Sequence, residues 1–179
     1  KKEGLFMAAI DLIVLGMVKK EPLSAYDIQK LVEYRNISRW VKISTPSIYK
    51  KVIQLEQKGL IAGTVVEGRM AEKAVYSITP AGETEFQRLM LEISGQPVNM
   101  FLDFNAVIVN LDSLPPELQD TCLERIEGQV KVLKAYLEDN MQRKERAPEV
   151  PETGKAVLRQ QYVLAQAIEE WIGDVRKTR

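Results

Sequence analysis

Histidine is absent from all 179 residues, and cysteine occurs once, at Cys122. The first absence excludes His-based catalytic triads, imidazole general bases and His-ligated zinc sites. The second excludes an internal disulfide and makes a cytoplasmic setting the expectation. No apolar run reaches the roughly 18 residues that a membrane span requires. The stretch 5–18 is shorter and is interrupted by Asp11. It lacks a small-residue cleavage site, so it does not read as a signal peptide. No closely spaced acidic cluster stands out, and Gly-rich phosphate loops are missing as well. No metal site, no cofactor and no enzymatic activity are therefore expected. Cys122 falls on an apolar helical stripe and reads as a small buried hydrophobe.

Neither sign of charge is in excess, with 25 Lys and Arg against 25 Asp and Glu. The distribution is uneven, however. Residues 19–73 hold 11 basic and 6 acidic side chains, and that is where a phosphate-binding surface would need them. With 45% hydrophobic residues, the chain has enough apolar material for a core, as one medium domain or two small ones.

The stretch 44–79 organises the rest. Ser44-Thr45-Pro46-Ser47 is a helix start. Thr45 as the cap accepts from free N–H groups of the first turn, and Pro46 occupies a position where its missing N–H costs nothing. Ile48, Val52 and Leu55 form one apolar stripe, with Ser47, Lys50, Lys51 and Gln54 mostly off it, and Gly59 ends the helix. Residues 60–66 and 74–79 read as two strands around the loop Glu67-Gly68-Arg69-Met70-Ala71-Glu72-Lys73. A short helix with a polar face, a Gly stop and a hairpin with a basic loop make up the end of a winged helix-turn-helix.

Before this stretch, residues 4–19 are apolar nearly all round a helix, including Phe6, Ile10 and Ile13. Burial on several sides, by its own domain and by a partner, is the expectation. A second helix starts at Ala25, with Ser24 as its cap, carries Tyr26, Ile28, Leu31 and Val32 as its apolar positions, and stops at Asn36. Trp40 lies in the basic connector that follows, either as a core plug or as a ring near nucleic acid. After the hairpin, Thr79 caps a helix with Pro80 at its first position. Gly95-Gln96-Pro97 breaks it and sets the expected domain boundary, 1–95 and 96–179.

Past that boundary the pattern is all helical. Helices are expected over 100–111, 117–144 and 155–175. The long one carries Leu118, Cys122, Ile126, Val130, Leu133, Leu137 and Met141. The last carries Val157, Gln161, Leu164, Ile168, Trp171 and Val175. Steps of three and four residues make seams for neighbouring helices. Leu158, Tyr162, Ala165 and Ile172 widen the apolar face. Two readings fit: a bundle closed within one chain, or helices shared with a second copy through Phe6, Ile10, Ile13, Leu164, Ile168, Trp171 and Val175. The fold class is thus mainly α with a small β-hairpin: a winged helix-turn-helix domain followed by a C-terminal α-helical dimerisation domain.

A recognition helix turns its first residues to the major groove. Here those are Ser44, Thr45, Ser47 and Tyr49, with Lys50 and Lys51 one turn on and placed for phosphate. The hydroxyls suit bases or phosphates, or serve as caps alone. Tyr49 either donates to phosphate or packs inward. Arg69 and Lys73 in the wing can reach phosphate or the minor groove, or form a solvated loop. The expected partner is double-stranded DNA; the alternative is a winged helix that docks on protein without DNA.

Four runs in order, Leu23-Ser24-Ala25-Tyr26-Asp27-Ile28, Ser44-Thr45-Pro46-Ser47-Ile48-Tyr49, Leu55-Glu56-Gln57-Lys58-Gly59-Leu60-Ile61 and Val75-Tyr76-Ser77-Ile78-Thr79-Pro80-Ala81-Gly82, resemble PadR-type transcriptional regulators. The second half resembles the helical region of the larger, virulence-activator-like members at Phe104-Asn105 and Leu114-Pro115. The resemblance implies a homodimer on a pseudo-palindromic operator, dimerised through C-terminal helices wrapped around the partner's first helix. It implies DNA contacts from Ser44, Ser47, Tyr49, Lys50 and the wing. Repression is the usual role, and in some members a phenolic acid or planar drug releases the DNA. A small-molecule effector of unknown identity is therefore an expected partner; no residue here matches a ligand-binding motif. The chain departs from the pattern at Ala25, where Gly is frequent, and in the wing, which carries Glu67 and Glu72 where further bases are common.

Overall fold

A computed structural model describes residues 2–41, 47–67, 72–148 and 150–178, and their side chains except those of 2–7, 47 and 72. The expected cap at Thr45 and Pro46 lies outside these residues. Two compact units divide the chain at Lys1–Val98 and Asn99–Arg179, against an expected boundary at 95/96.

In the first unit, helix α1 (Lys2–Lys20) packs on helices α3 (Ser47–Gln57) and α4 (Pro80–Ser94) and on the second hairpin strand. None of residues 8–18 is fully exposed, as an all-round apolar helix requires. Gly16 sits close under α4, where an added Cβ would lie 3.3 Å from Phe86 Cε2.

Helix α2 (Ala25–Tyr34) opens with a capping box: the Asp27 N–H donates to Ser24 Oγ, and the Ser24 N–H donates to Asp27 Oδ2. It closes at Asn36, in the left-handed region at φ 52°, which Asn tolerates better than most residues. A 3₁₀ turn, Ile37–Arg39, follows. Trp40 is half-buried against the core, on the plug side of its two readings.

Helix α3 buries Ile48, Val52 and Leu55 completely. Gly59 ends it at φ +69°, where the Leu60 N–H reaches the Leu55 carbonyl and the Gly59 N–H the Glu56 carbonyl. This is the Schellman pattern, which satisfies carbonyls that a helix end leaves free.

Strands β1 (Ile61–Glu67) and β2 (Glu72–Ile78) pair antiparallel from Ile61–Ile78 to Glu67–Glu72. Only Ile61 of β1 is buried, so the hairpin projects from the unit. Leu23 bridges Tyr76 through two backbone hydrogen bonds, of 3.1 and 2.9 Å. The turn before α2 thus joins the hairpin edge. Thr79 accepts from the Gly82 N–H, capping α4, and donates to the Gly59 carbonyl at 2.7 Å. Only glycine fits at position 82, since a Cβ there would lie 1.9 Å from the Leu60 carbonyl oxygen.

In the second unit, helices α6 (Pro116–Glu145) and α7 (Glu152–Lys177) pack together. The helix expected over 100–111 is not formed as such. One turn exists, α5 (Asn105–Ile108), with a 3₁₀ turn at Leu111–Ser113. Met100 and Phe101 are exposed, so a longer helix there would gain little burial, and short helices need packing. The Asn110 amide also donates to the Ala106 carbonyl at 2.7 Å, a side-chain bond that competes with helix propagation.

The buried line on α6 is Leu123, Val130, Leu137 and Asn140, and on α7 Ala165 and Ile172. Leu118 and Leu133 of the expected seam are half-exposed. The heptad step survives, displaced by a residue at the start of α6. Trp171 stacks on Phe104 with ring centroids 6.1 Å apart, and Cys122 is half-buried beside Leu111, Leu123 and Ile172.

Candidate nucleic-acid interface

The N-terminal end of α2, the outer side of α3 and β2 enclose an open groove of about 460 Å³. Val52, Ala74 and Tyr76 contribute apolar lining, and Tyr26, Asp27, Tyr49, Ile53 and Lys73 also line it. Tyr26 is 58% exposed and Tyr49 43%. Burial pushes the Tyr76 phenol above its ordinary value, and Glu56 adds to the effect. The Glu56 carboxylate accepts from the Gly63 N–H at 3.2 Å, tying α3 to the wing and setting the angle between the groove's walls.

At the rim, Lys73 Nζ lies 3.3 Å from Asp27 Oδ2. The Ser24 hydroxyl donates to the same carboxylate at 2.6 Å. That bond, more than the Lys73 ammonium, holds the Asp27 carboxyl below the usual carboxylate range. Lys73 is therefore a cation already engaged, and it must leave Asp27 to meet another anion. Lys30 lies 5.5 Å from the centre of the Tyr26 ring and pairs with Glu33 at 3.0 Å.

Besides Lys51 and Lys73, the expected DNA-contacting residues fall into three groups. Tyr49 and Lys50 are exposed on α3, and Lys50 forms no ion pair with a described residue. Ser44, Thr45 and Arg69 lie outside the described residues, and Ser47 is described by its backbone alone, as the first residue of α3.

Lys51 departs from expectation. It is 4% exposed, with Nζ 2.6 Å from Asp11 Oδ1 on α1. The two meet as an ion pair without hydrogen-bond angles, and neither atom has a hydrogen-bond partner among the described residues. The position explains the burial: Ile48, Lys51, Val52 and Leu55 run i, i+3, i+4, i+7 along one face. A lysine there faces the core and cannot serve phosphate.

Tyr26 is the groove residue that sequence reasoning placed among the apolar positions of α2. The signal was present, because Tyr26 stands two residues before buried Ile28, about 200° away around a helix. Of the expected dimer residues, Ile10 is 9% exposed within its own unit's core and is corrected to a core residue. Ile13 packs on that core, half-buried. The Phe6 side chain is outside the description. Leu164, Ile168 and Val175 are half-buried, and Trp171 is 41% exposed. Among the described residues no group of acidic or cysteine side chains is placed to hold a metal, and no helix is long and apolar enough to cross a membrane.

Comparison with known proteins gives this geometry a context. Residues 14–88 match the model of the transcriptional regulator PadR-like family. Among curated proteins none matches the sequence. Solved structures match over nearly the whole chain. Bacillus subtilis PadR in complex with operator DNA has a TM-score of 0.78 at 19% identity, covering 93% of this chain and 96% of that one. The same protein with p-coumaric acid gives 0.77 at 18%, covering 94% of each. The PadR-like regulator BC1756 from Bacillus cereus gives 0.72 at 21%, covering 94% and 96%. The Vibrio cholerae virulence activator AphA gives 0.69 at 21%, covering 93% and 95%. At these identities the structures establish a shared fold.

Proposed function

We propose that this chain, a PadR-like transcriptional regulator by its winged-helix unit, binds operator DNA as a homodimer and represses transcription. The observation that carries the reading is the placement of Tyr49 and Lys50. Both stand exposed on the N-terminal half of α3, beside a hairpin that projects from the unit. That is the arrangement by which a winged helix enters a major groove with its flank on the backbone. Ser44, Thr45 and Ser47 at the helix start, and Arg69 and Lys73 in the wing, complete the proposed contact set. Tyr26 joins it from the groove wall.

Dimerisation rests on the second unit. Val132, Leu133, Val163 and Trp171 are all more than 40% exposed on α6 and α7, and a second copy would cover them. Small phenolic acids are the first compounds to test as effectors, because Bacillus subtilis PadR has been solved with one.

Selection from a random duplex pool, followed by titration of the winner at several salt concentrations, tests the proposal. A palindromic winner bound by one dimer, with affinity falling steeply in salt, is the expected result. Its half-site spacing reports the dimer geometry. No enrichment, with only weak and salt-insensitive association, turns the reading to protein docking. A reporter driven by the winning sequence distinguishes repression from activation.

A further inference from the structure

Lys51 is a charged residue on the proposed recognition helix that DNA cannot reach. We infer that the Asp11–Lys51 ion pair is a positioning strut: it sets the rotation of α3 against α1, and so the direction in which Tyr49 and Lys50 leave the helix. The inference rests on the DNA-binding reading and adds two residues to it, neither of which touches DNA.

The surroundings make the pair selective for one arrangement. Val14 on α1 and Ile48, Val52 and Leu55 on α3 are all 0% exposed. Apolar contacts of this kind are non-directional and tolerate a small slide or turn of one helix on another. A buried ion pair adds a cost that rises with separation, because parting the charges strands an ammonium away from water. Neither Asp11 Oδ1 nor Lys51 Nζ has a hydrogen-bond partner among the described residues, so each charge is compensated by the other. Turning α3 would part them and leave the buried Lys51 ammonium without its carboxylate. Buried pairs add little net stability over apolar residues of similar size, but breaking one is costly, and fixing a register is their best-attested use.

The geometry links this to recognition. Lys50 and Tyr49 precede Lys51 by one and two residues, about 100° and 200° around the helix. A rotation of about 20° moves the tip of an outward side chain by about 2 Å on a helix radius of about 5–6 Å. Hydrogen bonds to bases hold over a few tenths of an ångström. Phosphate attraction is longer in range and survives such a shift. The strut therefore acts on discrimination between sequences and leaves general affinity alone.

The test compares wild type with two double variants, the apolar pair Asp11→Leu/Lys51→Met and the charge swap Asp11→Lys/Lys51→Asp. For each, thermal melting confirms folding, and affinity is measured for the selected operator and a random duplex across salt. The apolar variant should melt at or above wild type. It should keep its random-duplex affinity and salt slope but lose about 10-fold or more in the operator-to-random ratio, the scale of one lost base-pair preference. The charge swap should recover most of that ratio. An apolar variant with the wild-type ratio overturns the strut, as does one whose salt slope drops by a phosphate's worth.

If neither double variant folds, the wild type decides. In lysine-labelled protein the Lys51 ¹⁵Nζ signal should hold its shift on adding operator while that of Lys50 moves; equal shifts overturn the inference. Wild type that binds no duplex overturns the DNA-binding reading itself, a result separable from loss of the strut alone.

Discussion

The two units solve the burial problem differently. The first gathers thirteen buried apolar residues into one cluster, drawn from α1, α2, α3, β1, α4 and the Ile37 turn. The second has two long helices, of 30 and 26 residues, yet its cluster holds three buried residues, Leu111, Leu123 and Ile172. Polar links do part of the holding there. Lys134 Nζ lies 2.7 Å from Glu169, the Tyr162 hydroxyl donates to Glu138 at 2.8 Å, and Arg176 reaches Glu124 at 3.1 Å and also Glu127. The exposed pairs among them are each worth about 0–1 kcal/mol, against about 1.5–3 kcal/mol for a fully buried aliphatic side chain. The first unit is thus built as a self-sufficient body. Both units leave large apolar side chains exposed, Ile53 and Leu91 in the first and Val132 and Val163 in the second, and the proposed dimer would cover those of the second.

The sharpest break of this contrast is at the core. Leu55→Ala should cost about 2–5 kcal/mol, read from the urea midpoint and independent of protein concentration. Leu133→Asp on the exposed face of α6 should leave helix content intact by circular dichroism. It should weaken self-association about 10-fold or more, equivalent to about 1.4 kcal/mol, in sedimentation equilibrium. If instead Leu133→Asp unfolds the chain at every concentration, the second unit is as self-sufficient as the first.

Capping effects come next. Thr79→Ala removes the α4 cap and its tie to Gly59, and should lower stability by about 1 kcal/mol in the same urea titration. Lys50→Ala should weaken operator and random DNA alike and flatten the salt slope by about one unit. An effect confined to the operator would make Lys50 a base reader.

The smallest effect is expected at the groove rim. The Asp27 carboxyl is held below its ordinary range chiefly by Ser24. A carboxylate lowered on folding adds stability above its unfolded pKa and loses it as pH falls through the folded value. The contribution should therefore fade only in the acid range, and by less than about 1 kcal/mol, since the Asp27–Lys73 pair is exposed. Ser24→Ala should raise the Asp27 pKa in an NMR titration. Lys73→Ala should shift it up by less, because the hydroxyl bond is the larger influence.

Legibility in the sequence followed the range of the interaction. The Ser24 and Thr79 caps, the Gly59 stop, the Asn36 turn and the two hairpin strands were all readable, because each is decided within about five residues. The α6 and α7 helices were readable from heptad steps, as were Val130 and Leu137 on the buried side of α6 and Ala165 and Ile172 on that of α7, but the inward side at the start of α6 was not. Leu123 is fully buried while Leu118 is half-exposed, a choice made by the facing helix. The helix expected over 100–111 shrank to one turn: Ile108 and Leu111 pack on the second unit's cluster and Phe104 stacks on Trp171, while Met100 and Phe101 at its start stay exposed. In the candidate interface, Tyr49 and Lys50 were placed from spacing, whereas Tyr26 was set among the apolar positions of α2.

Sequence alone determined where helices begin and end, that a hairpin follows α3 and that basic charge gathers around it, since caps, stops and composition are local properties. The apolar stripe of α3 already includes position 51, and tertiary structure decided that a lysine there is buried in an ion pair while Lys50 stays on the surface. Lys50 and Lys51 are the same residue type one position apart, and packing against α1 makes one exposed and the other buried. The cause is Asp11, forty positions earlier in the chain, whose charge makes a buried lysine tolerable where an apolar residue would otherwise stand.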